Sequence, residues 1–91
     1  MTPEGKIKNE IMKYLKQIPD GYFFRVAQGK FSQSGISDIL GVYRSKFVAI
    51  EAKVKGNSTT PLQQQFLRKV ALAQGIAIVA YSVKDVSELI K

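Results

Sequence analysis

Cysteine and histidine are both missing from this chain of 91 residues. Without cysteine there is no disulfide framework and no thiolate metal site, which suits a reducing cytosol. Without histidine there is no imidazole zinc site, no Ser–His or Cys–His nucleophile system and no histidine acid–base chemistry. Any catalysis must run on carboxylates, lysines, hydroxyls or an oxygen-ligated cation. Long apolar runs are absent as well: nothing approaches the ~20 residues a membrane helix needs. Glu4, Lys6, Lys8 and Glu10 interrupt the amino end, so no secretory signal is read there. A cytoplasmic protein without a membrane partner is expected. There is no repeat, low-complexity tract or linker. With 45% hydrophobic residues, positions 1–91 are read as a single domain around one core.

Acids are scarce. Seven Asp and Glu face fourteen Lys and Arg, a net charge of +7, which points to an anionic partner such as nucleic acid. Between Gly21 and Lys84 the basic residues are Arg25, Lys30, Arg44, Lys46, Lys53, Lys55, Arg68, Lys69 and Lys84, and the acids are Asp38 and Glu51 alone. Two isolated carboxylates in so basic a stretch call for an explanation.

Thr2-Pro3 reads as a helix start, and Ile7, Ile11, Tyr14, Leu15 and Ile18 recur at helical spacing until Pro19-Asp20-Gly21. Tyr22 to Ala27 reads as a strand, followed by a polar loop tipped by Phe31. Ser37 to Tyr43 and Phe47 to Val54 read as two strands joined by a tight turn near Ser45-Lys46. Thr60-Pro61 opens a second helix with Leu62, Phe66, Val70 and Ala73 on its apolar face, closed by Gly75. Ile76 to Tyr81 is apolar enough for a strand covered on both faces, and Ser82 is read as the cap of a last helix through Lys91. The order α-β-β-β-α-β-α predicts an α/β fold, a mixed sheet flanked by helices.

In the strand Phe47 to Val54 side chains alternate, so Val48, Ile50, Ala52 and Val54 form a core face while Glu51 and Lys53 point the other way. With a two-residue turn at that place, Asp38 falls opposite Lys53 and diagonal to Glu51. One face then gathers two carboxylates and an ammonium. A hard divalent cation such as Mg²⁺ takes oxygen ligands, polarises a phosphoryl oxygen and acidifies a bound water, and a neighbouring lysine positions that water or offsets charge in the transition state. The plainer reading is a solvated Glu–Lys pair on an exposed sheet face. Because both acids lie off the apolar core face, replacing either with Ala is expected to leave the fold intact.

Here the chain resembles the VRR-NUC family, a branch of the PD-(D/E)XK nuclease superfamily. Gly35-Ile36-Ser37-Asp38-Ile39-Leu40-Gly41 is similar to its G-x-P-D segment, and Phe47 to Lys53 to its strand ending in E-x-K. Thr60-Pro61-Leu62-Gln63, then Phe66 and Gly75, are similar to its T/S-P-x-Q helix. Tyr22-Phe23-Phe24-Arg25 resembles its aromatic-Arg strand, and Glu4 with Ile7 and Ile11 its first helix. The likeness runs nearly end to end, at the length of a minimal stand-alone domain of the kind phages encode. Ser37 departs from the pattern, standing where the superfamily has proline; proline there shapes the backbone and is no ligand.

The resemblance implies a restriction-endonuclease-like fold and a Mg²⁺- or Mn²⁺-dependent endodeoxyribonuclease needing no organic cofactor. Its catalytic set would be Asp38, Glu51, Lys53, Gln63 and Glu4, and its metal ligands Asp38, Glu51 and the Ala52 backbone carbonyl. Two assignments stay open. At 100° per residue Glu4 lies about 40° from the centre of the first helix's apolar stripe and Glu10 about 80°, yet Glu4 can equally serve the helix dipole. Gln63, three residues after Thr60, can simply complete a capping box. Arg25, Lys30, Arg44, Lys46 and Lys55 are candidate phosphate contacts, and Phe31 a candidate wedge at a branch point. The expected role is cleavage of branched DNA in recombination or repair, above all Holliday junctions, by a symmetric homodimer. The alternatives are a flap or replication-fork nuclease, or a module that binds nucleic acid without cutting it.

Overall fold

A computed structural model describes residues 1–27 and 33–91. Its elements are α1 (Pro3–Leu15), β1 (Gly21–Arg25), β2 (Ile39–Tyr43), β3 (Lys46–Ala52), α2 (Pro61–Leu72), β4 (Ile76–Ala80) and α3 (Val83–Ser87), in the order the sequence predicts. Thr2 opens α1 as expected, its Oγ1 accepting from the Gly5 N–H at 2.9 Å. The sheet runs β1-β2-β3-β4, with β1–β2 and β2–β3 antiparallel and β3–β4 parallel. The parallel pair requires a crossover, and α2 supplies it.

Alternation sorts the strand residues onto two faces. Ile39, Val48, Ile50, Ala52, Ile78 and Ala80 face α1 and α3, packing with Ile11, Met12, Leu15, Val86 and Ile90 in the larger core. Leu40 and Ala49 face α2 and pack with Leu67 and Val70, backed by Phe66, Ala77 and Val79. The face that the plainer reading left to solvent therefore carries a second core. Among the described residues α2 lies over β3 and β4 and reaches β2 at Leu40, so Tyr22, Phe24 and Val42 stay exposed on the uncovered half, with Phe47 beside them.

The β2–β3 turn falls one residue earlier than expected. Arg44 and Ser45 are its two central residues, at φ 49° and 69°, the left-handed pair of a type I′ hairpin. Tyr43 then pairs with Lys46 and Ile39 with Ile50. The next step along this register sets Asp38 opposite Glu51, not opposite Lys53. Lys53 lies just past β3, its N–H donating to the Ala80 carbonyl at 2.9 Å.

Three further differences concern the helices. The buried residues of α2 are Leu67 and Val70, whereas Leu62 and Ala73 are exposed. The left-handed residue after α2 is Gln74 (φ 73°), not Gly75; Gly75 is there for space, since a Cβ would lie 2.8 Å from the Phe47 carbonyl oxygen. The last helix ends at Ser87, and Ser82 makes no capping hydrogen bond through its side chain. The Asp85 carboxylate accepts from the Tyr81 N–H at 2.8 Å instead. The tail is still anchored: Ile90 is fully buried, and the Tyr14 hydroxyl donates to its carbonyl at 2.6 Å. No helix among the described residues is long and apolar enough to cross a membrane.

Candidate metal centre

Asp38 is placed by backbone contacts on both sides. Gly35, at φ +78°, lets its segment lie against the first turn of α2, where a Cβ would come within 2.4 Å of the Leu62 carbonyl oxygen. The Asp38 carbonyl accepts from the Val26 N–H at 2.9 Å, adding a rung to the β1–β2 pairing. Its side-chain Oδ2 accepts from the Ala52 N–H at 2.9 Å. The carboxylate is thereby held against the end of β3.

Glu51 lies in β3, 2% exposed. Its Oε2 accepts from Gln63 Nε2 at 3.2 Å, while its Oε1 is buried and has no hydrogen-bond partner. Gln63 also completes the capping box: its Oε1 accepts from the Thr60 N–H at 2.9 Å and its own N–H donates to Thr60 Oγ1 at 3.2 Å. The cap thus fixes the amide orientation that presents Nε2 to Glu51. The two contacts weighed as alternatives coexist in one side chain.

The first turn of α1 brings Glu4 to the same place. Glu4, Asp38 and Glu51 each offer a carboxylate oxygen within 4.8 Å of the others, whereas Glu10 is exposed and outside the cluster. Burial, first of all, pushes the Glu51 carboxyl up to about 8; the neighbouring Asp38 carboxylate and the charge of Glu4 push the same way, and Lys53 opposes them. Three convergent carboxylates, one with an unpartnered buried oxygen, suit a hard, oxygen-ligated cation. Ala52 adds backbone beside them, and Lys53, half-buried, supplies a positive charge.

One residue of this cluster escaped the sequence reading. Lys8 Nζ lies 3.4 Å from Asp38 Oδ1 and 3.8 Å from Glu4 Oε1. Its spacing of four from Glu4 on one helix was the available signal.

The candidate phosphate contacts divide by position. Arg25 pairs with Ile39, next to Asp38, and its guanidinium donates to Asn9 Oδ1 at 2.6 Å. Lys55 is exposed two residues past Lys53. Arg25 is thus one strand position from Asp38, and Lys55 follows the end of β3. Arg44 and Lys46 sit at the other end of the β2–β3 hairpin, roughly 20 Å away at the rise of an extended chain. There Arg44 pairs with Asp20 and lies over the Tyr43 ring, and Lys46 donates to the Gln74 carbonyl at 3.1 Å. Lys30 and Phe31 lie outside the described residues.

A mixed four-stranded sheet with α1 and α3 on one face, α2 on the other and the carboxylates gathered at one end defines the class. The same architecture occurs in a solved VRR_NUC domain that superposes with a TM-score of 0.79 at 21% identity, over 99% of this chain and 96% of that one. A solved VRR_NUC domain protein superposes at 0.75 with 20% identity, over 99% of this chain and 86% of that one. The chain has the VRR_NUC fold, the fold its ordered motifs resemble. No family model matches its sequence, and no curated protein does.

Proposed function

We propose that the chain is a metal-dependent DNA endonuclease of the VRR-NUC branch, cutting phosphodiester bonds in branched DNA. The observation that carries this reading is the convergence of Glu4, Asp38 and Glu51 within 4.8 Å, with a buried Glu51 oxygen left unpartnered. Asp38 and Glu51, with Glu4 and the Ala52 carbonyl, would hold the cation; Mg²⁺ or Mn²⁺ bound there supplies Lewis-acid polarisation of a phosphoryl oxygen and a more acidic water.

The chain's own groups do the rest. The Ala52 N–H and Gln63 Nε2 hold the two central carboxylates in fixed orientations, as outer-shell partners of ligands do. Glu51 would have to be ionised to hold the cation. Lys53 orients the attacking water and offsets the charge growing on the phosphoryl oxygens. Hydrolysis forms one P–O bond to that water and breaks the bond to the leaving oxygen, which takes up a proton. Arg25 and Lys55 grip neighbouring phosphates.

For the finer substrate, the reading is a four-way junction cut by a homodimer. A junction needs two cuts related by approximate two-fold symmetry, and two-fold dimers supply that directly. The exposed Tyr22, Phe24, Val42 and Phe47 on the uncovered sheet face give such a dimer apolar surface to bury. The test is incubation of the pure protein with labelled linear, flapped and four-way DNA, each in Mg²⁺, Mn²⁺ or EDTA. Preferential cutting of the four-way substrate in either cation and none in EDTA is expected. Preference for the flap would redirect the reading to a flap or fork nuclease. Binding without cutting in any cation would reduce it to a nucleic-acid-binding module.

A further inference from the structure

Resting on the metal-site reading, we infer that Lys8 is a tethered resident cation of this site, which the divalent ion must displace in order to bind. The Lys8 ammonium already bridges two of the three carboxylates, at 3.4 Å from Asp38 Oδ1 and 3.8 Å from Glu4 Oε1. It reaches them from α1, on a side chain that is 21% exposed and so not sealed inside the protein. In that position it offsets the repulsion of carboxylates that lie too close to be ionised together at no cost.

The geometry sets the two cations in competition for the same oxygens. A divalent ion such as Mg²⁺ binds carboxylate oxygen at about 2.1 Å. Bound to Asp38 Oδ1, it would lie no further than about 5.5 Å from Lys8 Nζ even if the two stood on opposite sides of that oxygen. Two positive centres at that range repel, and the divalent ion claims the same oxygens. The flexible four-carbon stem lets the ammonium swing outward. Ammonium out and metal in is an exchange of one cation for another, so Lys8 sets the affinity of the site and hence the metal concentration at which the protein loads.

The test is a Mn²⁺ titration of the whole chain, reading free Mn²⁺ by electron paramagnetic resonance without DNA. Wild type is compared with Lys8→Met, Lys8→Gln, Lys8→Arg and Lys6→Met; Lys6 is exposed on the same helix and controls for net charge. A neighbouring charge moves the proton equilibrium of a carboxylate by about 1–3 units, so Lys8→Met and Lys8→Gln should bind Mn²⁺ at least about tenfold more tightly than wild type. Lys8→Arg, which keeps the charge, should stay near wild type, and Lys6→Met should not move. Unchanged or weaker binding in Lys8→Met and Lys8→Gln overturns the inference, as does an equal gain in Lys6→Met. If no protein shows Mn²⁺ binding that Glu51→Ala removes, the metal site itself is refuted, and that result is distinguishable from the others.

Discussion

Glu51 stands in a central strand with one oxygen on Gln63 and the other unpaired, and burial beside Asp38 pushes its pKa up to about 8. Between the ordinary value of 4.5 and about 8, the folded chain holds a proton that the unfolded chain has released. Raising the pH through that window therefore favours the unfolded chain. In EDTA the melting temperature should fall as pH climbs from about 5 to 8, and Mg²⁺ or Mn²⁺ should restore more of it at the upper end. Glu51→Gln keeps the acceptor for Gln63 and removes the titrating proton. It should be more stable than wild type at the alkaline end and lose this slope; an unchanged slope in thermal scans would show that Glu51 is not its source. Asp38 is better tested as Asn than as Ala. Asp38→Ala leaves the Ala52 N–H without its acceptor, a cost of about 1–3 kcal/mol, so the expectation of an intact fold does not carry over to it. Asp38→Asn should lower single-turnover cleavage roughly a thousandfold, the several kcal/mol that metal polarisation supplies, while DNA affinity in Ca²⁺ holds or rises. Lys53→Ala should likewise depress the single-turnover rate far more than affinity; a phosphate contact would show the reverse.

The cap of α2 ties a stability device to the site. Thr60→Ala removes the acceptor of the Gln63 N–H and should cost about 1 kcal/mol. It keeps the Thr60 N–H that holds the Gln63 amide oxygen, so cleavage should change little, whereas Gln63→Ala should slow it by about 10–100-fold, the range for outer-shell partners of metal ligands. A Gln63→Ala protein that cuts at the wild-type rate would separate the cap from the site. Elements of this kind were readable from sequence because their signals are local: Thr-Pro at two helix starts, alternation in β3, apolar residues throughout β4. The β2–β3 register was not, because Arg44 and Ser45 adopt left-handed backbone without the Asn or Gly that announces it. The α2 face was right at Phe66 and Val70 and wrong at its ends, where packing on β3 and β4 selected Leu67 over Leu62. The pairing of Asp38 with Glu51 and the approach of Lys8 depend on register and on how α1 meets the sheet end, which no single segment encodes.

At the scale of the whole molecule, total charge and exposed apolar surface point to two kinds of partner. A net charge of +7 favours a polyanion, and the open sheet face of Tyr22, Phe24, Val42 and Phe47 is the surface assigned to a second copy. Light scattering at micromolar protein should give twice the mass of the 91-residue chain, with or without junction DNA; the monomer mass under both conditions would refute the dimer. On a cruciform plasmid the dimer should yield linear product by paired cuts in one encounter, where a monomer accumulates nicked circle first.

The carboxylate cluster also has a consequence for biosynthesis. Glu4 belongs to the first helix, Asp38 and Glu51 to the middle of the chain, Gln63 to α2, and the Ala80 carbonyl that receives the Lys53 N–H to a strand near the end. A ribosome releases these pieces in that order. Until β4 has emerged, β3 lacks one neighbour and Glu51 has no walled pocket, so the nascent chain cannot assemble the ion site. A site built this way comes together only after every one of those segments, β4 included, has left the ribosome.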